Sequence, residues 1–304
     1  MAETKRDKTS LKLHLQNAME RKSSRKRIIN RLVTASCIIC IGFAIVPLGS
    51  ILVQVIINGA SAFSIEFLTQ SPGSIGSGKG GIGPAIQGTL ITVGIASIIA
   101  TPVGVLAGIY LAEFAGNGPF PHAVRFFNDV LTGLPSIVLG IVGYIVVVLA
   151  IGSFSVWAGS FALSIIMIPI VVRVTEESLK VVPNSVREAG YSLGIPKWKI
   201  TLNITLKTAL SGVLTGIVLG ISRIAGETAP LIMTILGTSL FFTGFQEPVD
   251  ALPLRIWRLA SQPYESAHTQ GWGAALMLIV IVMLFSVTLR FIATRKGFNV
   301  KAAV

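Results

Sequence analysis

Six stretches of this sequence are long and apolar enough to cross the hydrocarbon core of a membrane, and that restricts the possible folds more than any motif does. They lie near residues 32–57, 85–112, 130–151, 154–172, 209–235 and 272–292. A crossing needs roughly 20 residues. In lipid every backbone polar group must be satisfied within its own segment, so runs of this length are helices. The expectation is an all-α polytopic membrane protein with six transmembrane helices. Composition agrees, because only 12% of the 304 residues are charged, about half the usual share of a soluble domain. The first run reads as a retained helix and not as a cleaved signal. It follows a long polar segment, its apolar core is too long, and no small-residue cleavage site follows it.

The net charge of +12 is distributed with a bias. Ten of the 25 Lys and Arg residues lie in 1–31, six in 173–207, four from Arg290 onward, and Arg125 falls between the second and third runs. If the six spans alternate, these 21 share one side, while the other side holds only Lys79, Arg255 and Arg258. That is the positive-inside pattern and places both termini in the cytoplasm. The basic tail 1–31, with Arg21, Lys22, Arg25, Lys26 and Arg27, reads as a flexible segment that meets anionic headgroups. Nucleic-acid binding is disfavoured, since no aromatic-interleaved module accompanies the charge.

Several local patterns carry no chemistry. Cys37 and Cys40 form C-x-x-C inside an apolar helix without further metal or redox partners. Residues 73–80 (GSIGSGKG) spell most of a Walker A loop. Gly80 replaces the hydroxyl residue that would ligate Mg²⁺, no buried strand precedes it, and the charge bias puts it outside the cell. His14, His122 and His268 are scattered and support no metal site. No nucleophile–base pairing is evident either. The expectation is a protein that is not an enzyme, binds no nucleotide at this loop and needs no cofactor.

The polar island 184–207, between the fourth and fifth runs, is the most informative stretch. Ser185 with Glu188 fits a capping box that starts a helix running through Ala189 to Leu193. Gly194 suits the left-handed position that stops it. Pro196 suits the first position of a second helix leading into the fifth span. Arg187, Lys197 and Lys199 keep the island out of lipid, and Tyr191, Leu193 and Trp198 offer apolar anchors to a partner. An amphipathic helix resting on the membrane fits these residues equally well.

The spacing of Glu188, Ala189, Gly194, Ile204 and Leu206 resembles the signature of the membrane subunits of binding-protein-dependent ATP-binding-cassette (ABC) importers, with Lys207 where that family usually has Pro. The resemblance implies that this segment docks on a cytoplasmic ATPase and passes nucleotide-driven closure to the membrane helices. The Lys207 departure implies a straighter approach to the fifth span. Four further strings, at 80–90 (GGIGPAIQGTL), 131–140 (LTGLPSIVLG), 222–231 (SRIAGETAPL) and 251–260 (ALPLRIWRLA), look like phosphate-importer permeases, and the last looks like the PstA type. What this implies is a type I ABC-importer permease core over 80–294, preceded by an additional helix at 32–57. The implied partners are an ATPase dimer (PstB type), a second permease (PstC type) and an extracytoplasmic phosphate-binding protein (PstS type). The binding protein would be received by the loops at 58–84 and 238–270.

Arg223 and Glu227 lie one helical turn apart within the fifth run. Each ionised group at a span centre costs about 2.5–3.5 kcal/mol, so the pair should face protein or a water-filled path. Two readings fit: an ion pair locking helices together, or a guanidinium fork offered to a passing oxyanion and held by Glu227 when the path is empty. Arg173, followed by Glu176 and Glu177, is a second candidate for the path or an ordinary interfacial anchor. Pro102, Gly104, Pro135, Pro169, Gly220, Gly226 and Pro230 permit close helix contacts and local breaks. The combined expectation is a phosphate-importing permease. The rivals are a same-fold permease for molybdate or sulfate, an ion-coupled secondary transporter or channel, and a structural scaffold.

Overall fold

The computed structural model of the chain describes residues 3–74, 78–116 and 118–296, as backbone alone for 3–25, 27, 28, 290 and 292–296. Among the described residues the fold is all-α, relieved only by one isolated bridge between Pro72 and Gly80. It divides into two units, Met1–Ile56 and Ile57–Val304.

The first unit is the bulk of one helix, α1 (Glu3–Ala60). It begins well before the apolar run, so the basic segment is helical where a flexible tail was expected. Its Leu, Lys, Gln, Ala, Met, Glu and Arg residues are good helix formers. The Arg21, Lys22, Arg25 and Arg27 side chains expected to meet headgroups lie outside the described residues. The apolar stretch presents Ile39, Phe43 and Leu48 as exposed side chains, and Cys37 and Cys40 are exposed and unpaired.

In the second unit a short α2 (Ile65–Thr69) leads to α3 (Gly83–Ile109), which continues through a π-turn, Tyr110–Phe114. Helix α4 (Pro119–Gly133) follows, then α5 (Ser136–Gly143), extended by a π-turn, Tyr144–Val148, and α6 (Leu149–Ile151). The long α7 (Val156–Lys180) precedes α8 (Asn184–Ser192), α9 (Lys197–Ile200), a π-turn at Thr201–Thr205, and α10 (Leu206–Ala225). The chain closes with α11 (Ala229–Thr234), α12 (Leu252–Ala260) and α13 (Glu265–Lys296).

Five helical stretches qualify as spans, and the bent pair α4 with α5–α6 makes a sixth if it is one broken span. The third run was expected as a span near 130–151, with Pro135 permitting a local break. The structure breaks it at Leu134–Pro135, where the axes turn by 105°. Pro135 disfavours helical backbone at Leu134, which is extended at φ −70°, ψ 140°. Most of the stretch between the second and third runs is helical, as α4, with Phe120, Phe126 and Phe127 exposed.

Two rows of glycine set the packing around α7. A Cβ added at Gly104 would lie 2.7 Å from the Val171 Cβ, and one at Gly108 2.6 Å from the Thr175 Cβ. On the other side Gly212, Gly216 and Gly220 meet Ser178, Val174 and Met167 just as closely. Small residues four apart let helix backbones approach, which supplies packing energy where lipid removes the hydrophobic drive. The main core, with Val93, Ala96, Ala100, Leu163, Met167, Val171, Ile224 and Leu231, fills the space between these helices. Smaller clusters close the two ends: Phe67, Ile82, Leu252 and Ala274 at one, and Ile109, Leu179, Val182 and Ala209 at the other.

Candidate functional site

The island at 184–207 folds as helix, bend, helix. Gly194 sits at φ +71°, the left-handed conformation expected of it, and its N–H donates to the Tyr191 carbonyl at 2.9 Å. The beginnings of both helices differ from expectation. Pro183, not Ser185, occupies the N-cap of α8, and no side chain caps it. The Ser185–Glu188 capping box therefore does not form, because the extended backbone it needs falls two residues earlier. Pro196 is likewise the N-cap of α9 and not its first residue. Beyond it, α9, the π-turn and α10 run on as one 29-residue stretch from Lys197 to Ala225. With Lys207 in place of Pro, the backbone N–H at that position remains available to the helix, which continues without interruption from the π-turn into α10.

Glu188 and Ala189 are exposed on α8, together with Tyr191, Leu193 and Trp198. Ile204 and Leu206 are half-buried in and just beyond the π-turn. Gly190 is buried, and a Cβ there would lie 2.9 Å from Ile200. That contact folds α8 back on α9 and leaves the outer face of the bend open. Arg187, expected only as a solubilising charge, turns inward. Its Nη2 donates to the Glu113 Oε1 at 2.6 Å and to the Leu179 carbonyl at 2.8 Å. Its Nη1 donates to the Val182 carbonyl at 2.6 Å.

A second cluster lies at the same end of the helices. Glu176, at 10% side-chain exposure, accepts from Arg125 Nε at 2.9 Å and from Lys180 Nζ at 2.6 Å. Arg173 is exposed and pairs with Glu177 at 3.1 Å and Asp129 at 3.6 Å. These side chains line a cavity of about 170 Å³ between α4 and α7. Arg173 is thus flanked by two carboxylates, the environment of an anchor. Among the described residues no contact brings it together with Arg223.

Arg223 and Glu227 do not sit mid-helix. Helix α10 ends at Ala225, and Glu227 lies in the break before α11. The two approach to 3.7 Å, with Arg223 half exposed and Glu227 at 16%, so they form an ion pair longer than a hydrogen bond. The guanidinium keeps its forked donors uncommitted among the described residues. Pro230, just past the break, packs its backbone against Gly140 of α5.

The opposite end carries Arg255 and Arg258. Arg255 Nε donates to the fully buried Asp250 carboxylate at 2.6 Å. Burial pushes that carboxyl above the usual carboxylate range, and the Arg255 charge pulls against the shift. Arg258 donates to the carbonyls of Leu236 and Gly237, both at positive φ. Both arginines border a cavity of about 390 Å³ that also includes Gly73, Gly78 and Gln262. The Gly-rich near-match at 73–80 is thus a loop lining this cavity; its residues 75–77 lie outside the described residues, and α3 begins at Gly83, three residues after Gly80.

Residues 104–296 match the family described as binding-protein-dependent transport system inner membrane component. The chain belongs to this family. As an inner-membrane component it is also similar, over nearly its full length, to proteins named phosphate transport system permease protein PstA. The one from Yersinia pestis is 38% identical over 282 residues, covering 93% of this chain and 96% of the relative. That from Mycobacterium leprae is 37% identical, covering 90% and 92%. In three dimensions the inner-membrane component resembles a chain of a bacterial alginate ABC transporter crystallised with an alginate-bound periplasmic protein. The TM-score is 0.63 at 14% identity, covering 88% of this chain and 95% of that one. A chain of the MetNI methionine ABC transporter gives 0.56 at 17% identity, covering 71% and 94%. The fold is therefore that of type I ABC-importer permeases, with six spans when the bent pair is counted as one.

Proposed function

We propose that this chain is a membrane permease subunit of an ATP-driven importer that moves inorganic phosphate across the inner membrane. The observation that carries the reading is the end-to-end similarity to PstA proteins, which spans the docking segment, the break at 226–228 and the α12 region alike. The permease core is residues 80–294, with the coupling segment at 184–207 and both termini cytoplasmic. Its partners are a cytoplasmic ABC ATPase dimer of the PstB type, a second permease of the PstC type and an extracytoplasmic phosphate-binding protein of the PstS type. The subunit is not itself an enzyme, since ATP is hydrolysed on the ATPase.

The geometry supports a division of labour. The open face of the α8–α9 bend, with Glu188, Ala189 and Tyr191 on α8 and Trp198 on α9, meets the ATPase. The unbroken stretch from Lys197 to Ala225 then acts as a rod about 43 Å long at 1.5 Å per residue. Its far end carries Arg223 into the break. A half-exposed guanidinium with a loosely held carboxylate partner suits an anion path better than a lock, because a lock gains only from tight hydrogen-bonded geometry. As phosphate passes, two oxyanion oxygens take the guanidinium fork and Glu227 is displaced. When the path empties, Glu227 returns and neutralises the charge.

The test is Arg223→Gln in the assembled complex. Phosphate uptake should collapse while the ATPase still co-purifies. Uptake at the wild-type rate removes Arg223 from the path.

A further inference from the structure

The α8–α9 bend is held to the rest of the protein from both sides, and the holding points are successive residues at the end of α3. From the α8 side, Arg187 Nε donates to both Glu113 oxygens at 3.1 and 3.2 Å, and Nη2 donates to Oε1. From the α9 side, the Lys197 ammonium stands 5.3 Å from the centre of the Phe114 ring, within cation–π range. The Arg187 guanidinium also takes the carbonyls of Leu179, in the last turn of α7, and Val182, just beyond that helix, and reaches Asn184 Oδ1 at 3.3 Å. Beside it, Val186 packs into the cluster of Ile109, Leu179, Val182, Ala209 and Leu206. That cluster joins the ends of α3, α7 and α10.

Both charges are withdrawn from water: Arg187 has 15% side-chain exposure and Glu113 5%. Only a planar fork with several donors serves a carboxylate and two carbonyls at once; a lysine ammonium does not reproduce that geometry. A contact of this kind is stiff, since breaking it leaves a buried charge unpaired. The seams at Gly104–Val171 and Gly108–Thr175 then extend the connection along α3 and α7.

We propose that Arg187 is a positioning residue that carries movement of the coupling segment into the ends of α3 and α7 through Glu113 and the Leu179 and Val182 carbonyls. The segment thereby drives three helices together and not α10 alone. This rests on the importer reading above and adds the route by which force leaves the bend.

The experiment uses the complete complex reconstituted in liposomes with its binding protein and inorganic phosphate, and reads phosphate taken up per ATP hydrolysed. Arg187→Met and Glu113→Gln are each expected to retain the ATPase in the purified complex and to lower that ratio at least tenfold. Arg187→Lys should recover only part of it, because the charge on Glu113 is kept while the carbonyl contacts are lost. Wild-type ratios in Arg187→Met and Glu113→Gln overturn the proposal. If Arg187→Met does not assemble, Glu113→Gln, which lies outside the docking segment, decides alone. In Glu113→Gln a lowered ratio in an intact complex supports the route, whereas a wild-type ratio or a failure of that variant to assemble shows a merely structural contact and overturns it. A wild-type complex that takes up no phosphate overturns the importer reading itself. Variants that match an active wild type overturn this route alone.

Discussion

Replacing Gly108 with Ala should weaken the seam on which the helix bundle depends. The added methyl would sit 2.6 Å from the Thr175 Cβ, 2.8 Å from its Cγ2 and 2.8 Å from the Val172 carbonyl. Carbon atoms prefer about 3.5–4.0 Å, so α3 and α7 must part by roughly 1 Å. Gly104, four residues away and equally tight against Val171, is pulled open by the same movement. Overpacking of this kind costs about 1–3 kcal/mol, partly offset by the roughly 1 kcal/mol that Ala gains over Gly in a helix. The net is a loss of up to about 2 kcal/mol, or up to roughly 8 °C in the unfolding midpoint for a chain of this size, and Gly94→Ala, which takes the helix gain without the clash, should lie about 1–3 kcal/mol above it. Gly94→Ala in the same helix is the control, because nothing lies within 4 Å of the added atom in this chain. The assay is thermal unfolding of both variants in lipid nanodiscs. Equal midpoints for the two would refute the close-packed seam.

Three further outcomes follow from named contacts. Glu176→Gln removes the charge that joins Arg125 of α4 to α7, and because both cations retain access to water the loss should be about 1–2 kcal/mol, read as a lower unfolding midpoint; an unchanged midpoint argues that α4 is held by other means. Asp250→Asn leaves the Arg255 guanidinium buried and unpaired, at a cost of about 3–5 kcal/mol, whereas the double change Asp250→Leu with Arg255→Met should recover more than half of that stability; a double variant worse than the single contradicts the pairing. Gly194→Ala meets no neighbouring atom but forces a side chain into a left-handed position, costing about 1–2 kcal/mol; ATPase retention should fall, less so for Gly194→Asn, and equal loss in both would point to sterics in place of strain.

The membrane helices were legible because hydrophobic length is a local property, and lipid leaves the backbone only one way to satisfy itself. Gly194 was legible for a similar reason, since a positive φ is a demand one residue makes on its own. The third span was legible only in part, because its apolar composition runs unbroken past Leu134, and only Pro135 signalled the turn. Arg187 was missed because its partner lies 74 residues away. Glu113, a lone carboxylate closing an apolar run, was the available hint, but no pattern names the cation that will reach it. The Asp250–Arg255 pair is close in sequence yet sits in a segment whose burial depends on α3 and α12 together. Arg223 and Glu227 were singled out by the cost of charge in lipid, with Gly226 and Pro230 read as permitting a local break but not as ending α10 between the two charges. Gly226 and Pro230 bracket that break, and their joint effect on the helix is what the one-turn spacing concealed.

The central claim is that this subunit couples ATP hydrolysis on a partner to phosphate entry. It is tested most directly by co-expressing the chain with its ATPase and second permease, reconstituting the purified complex, and measuring ATP turnover and anion uptake with the binding protein present. The ATPase is expected to co-purify, phosphate-loaded binding protein to stimulate turnover several-fold, and phosphate to accumulate inside. A chain that associates with no ATPase, or a complex stimulated equally by sulfate or molybdate, would contradict it.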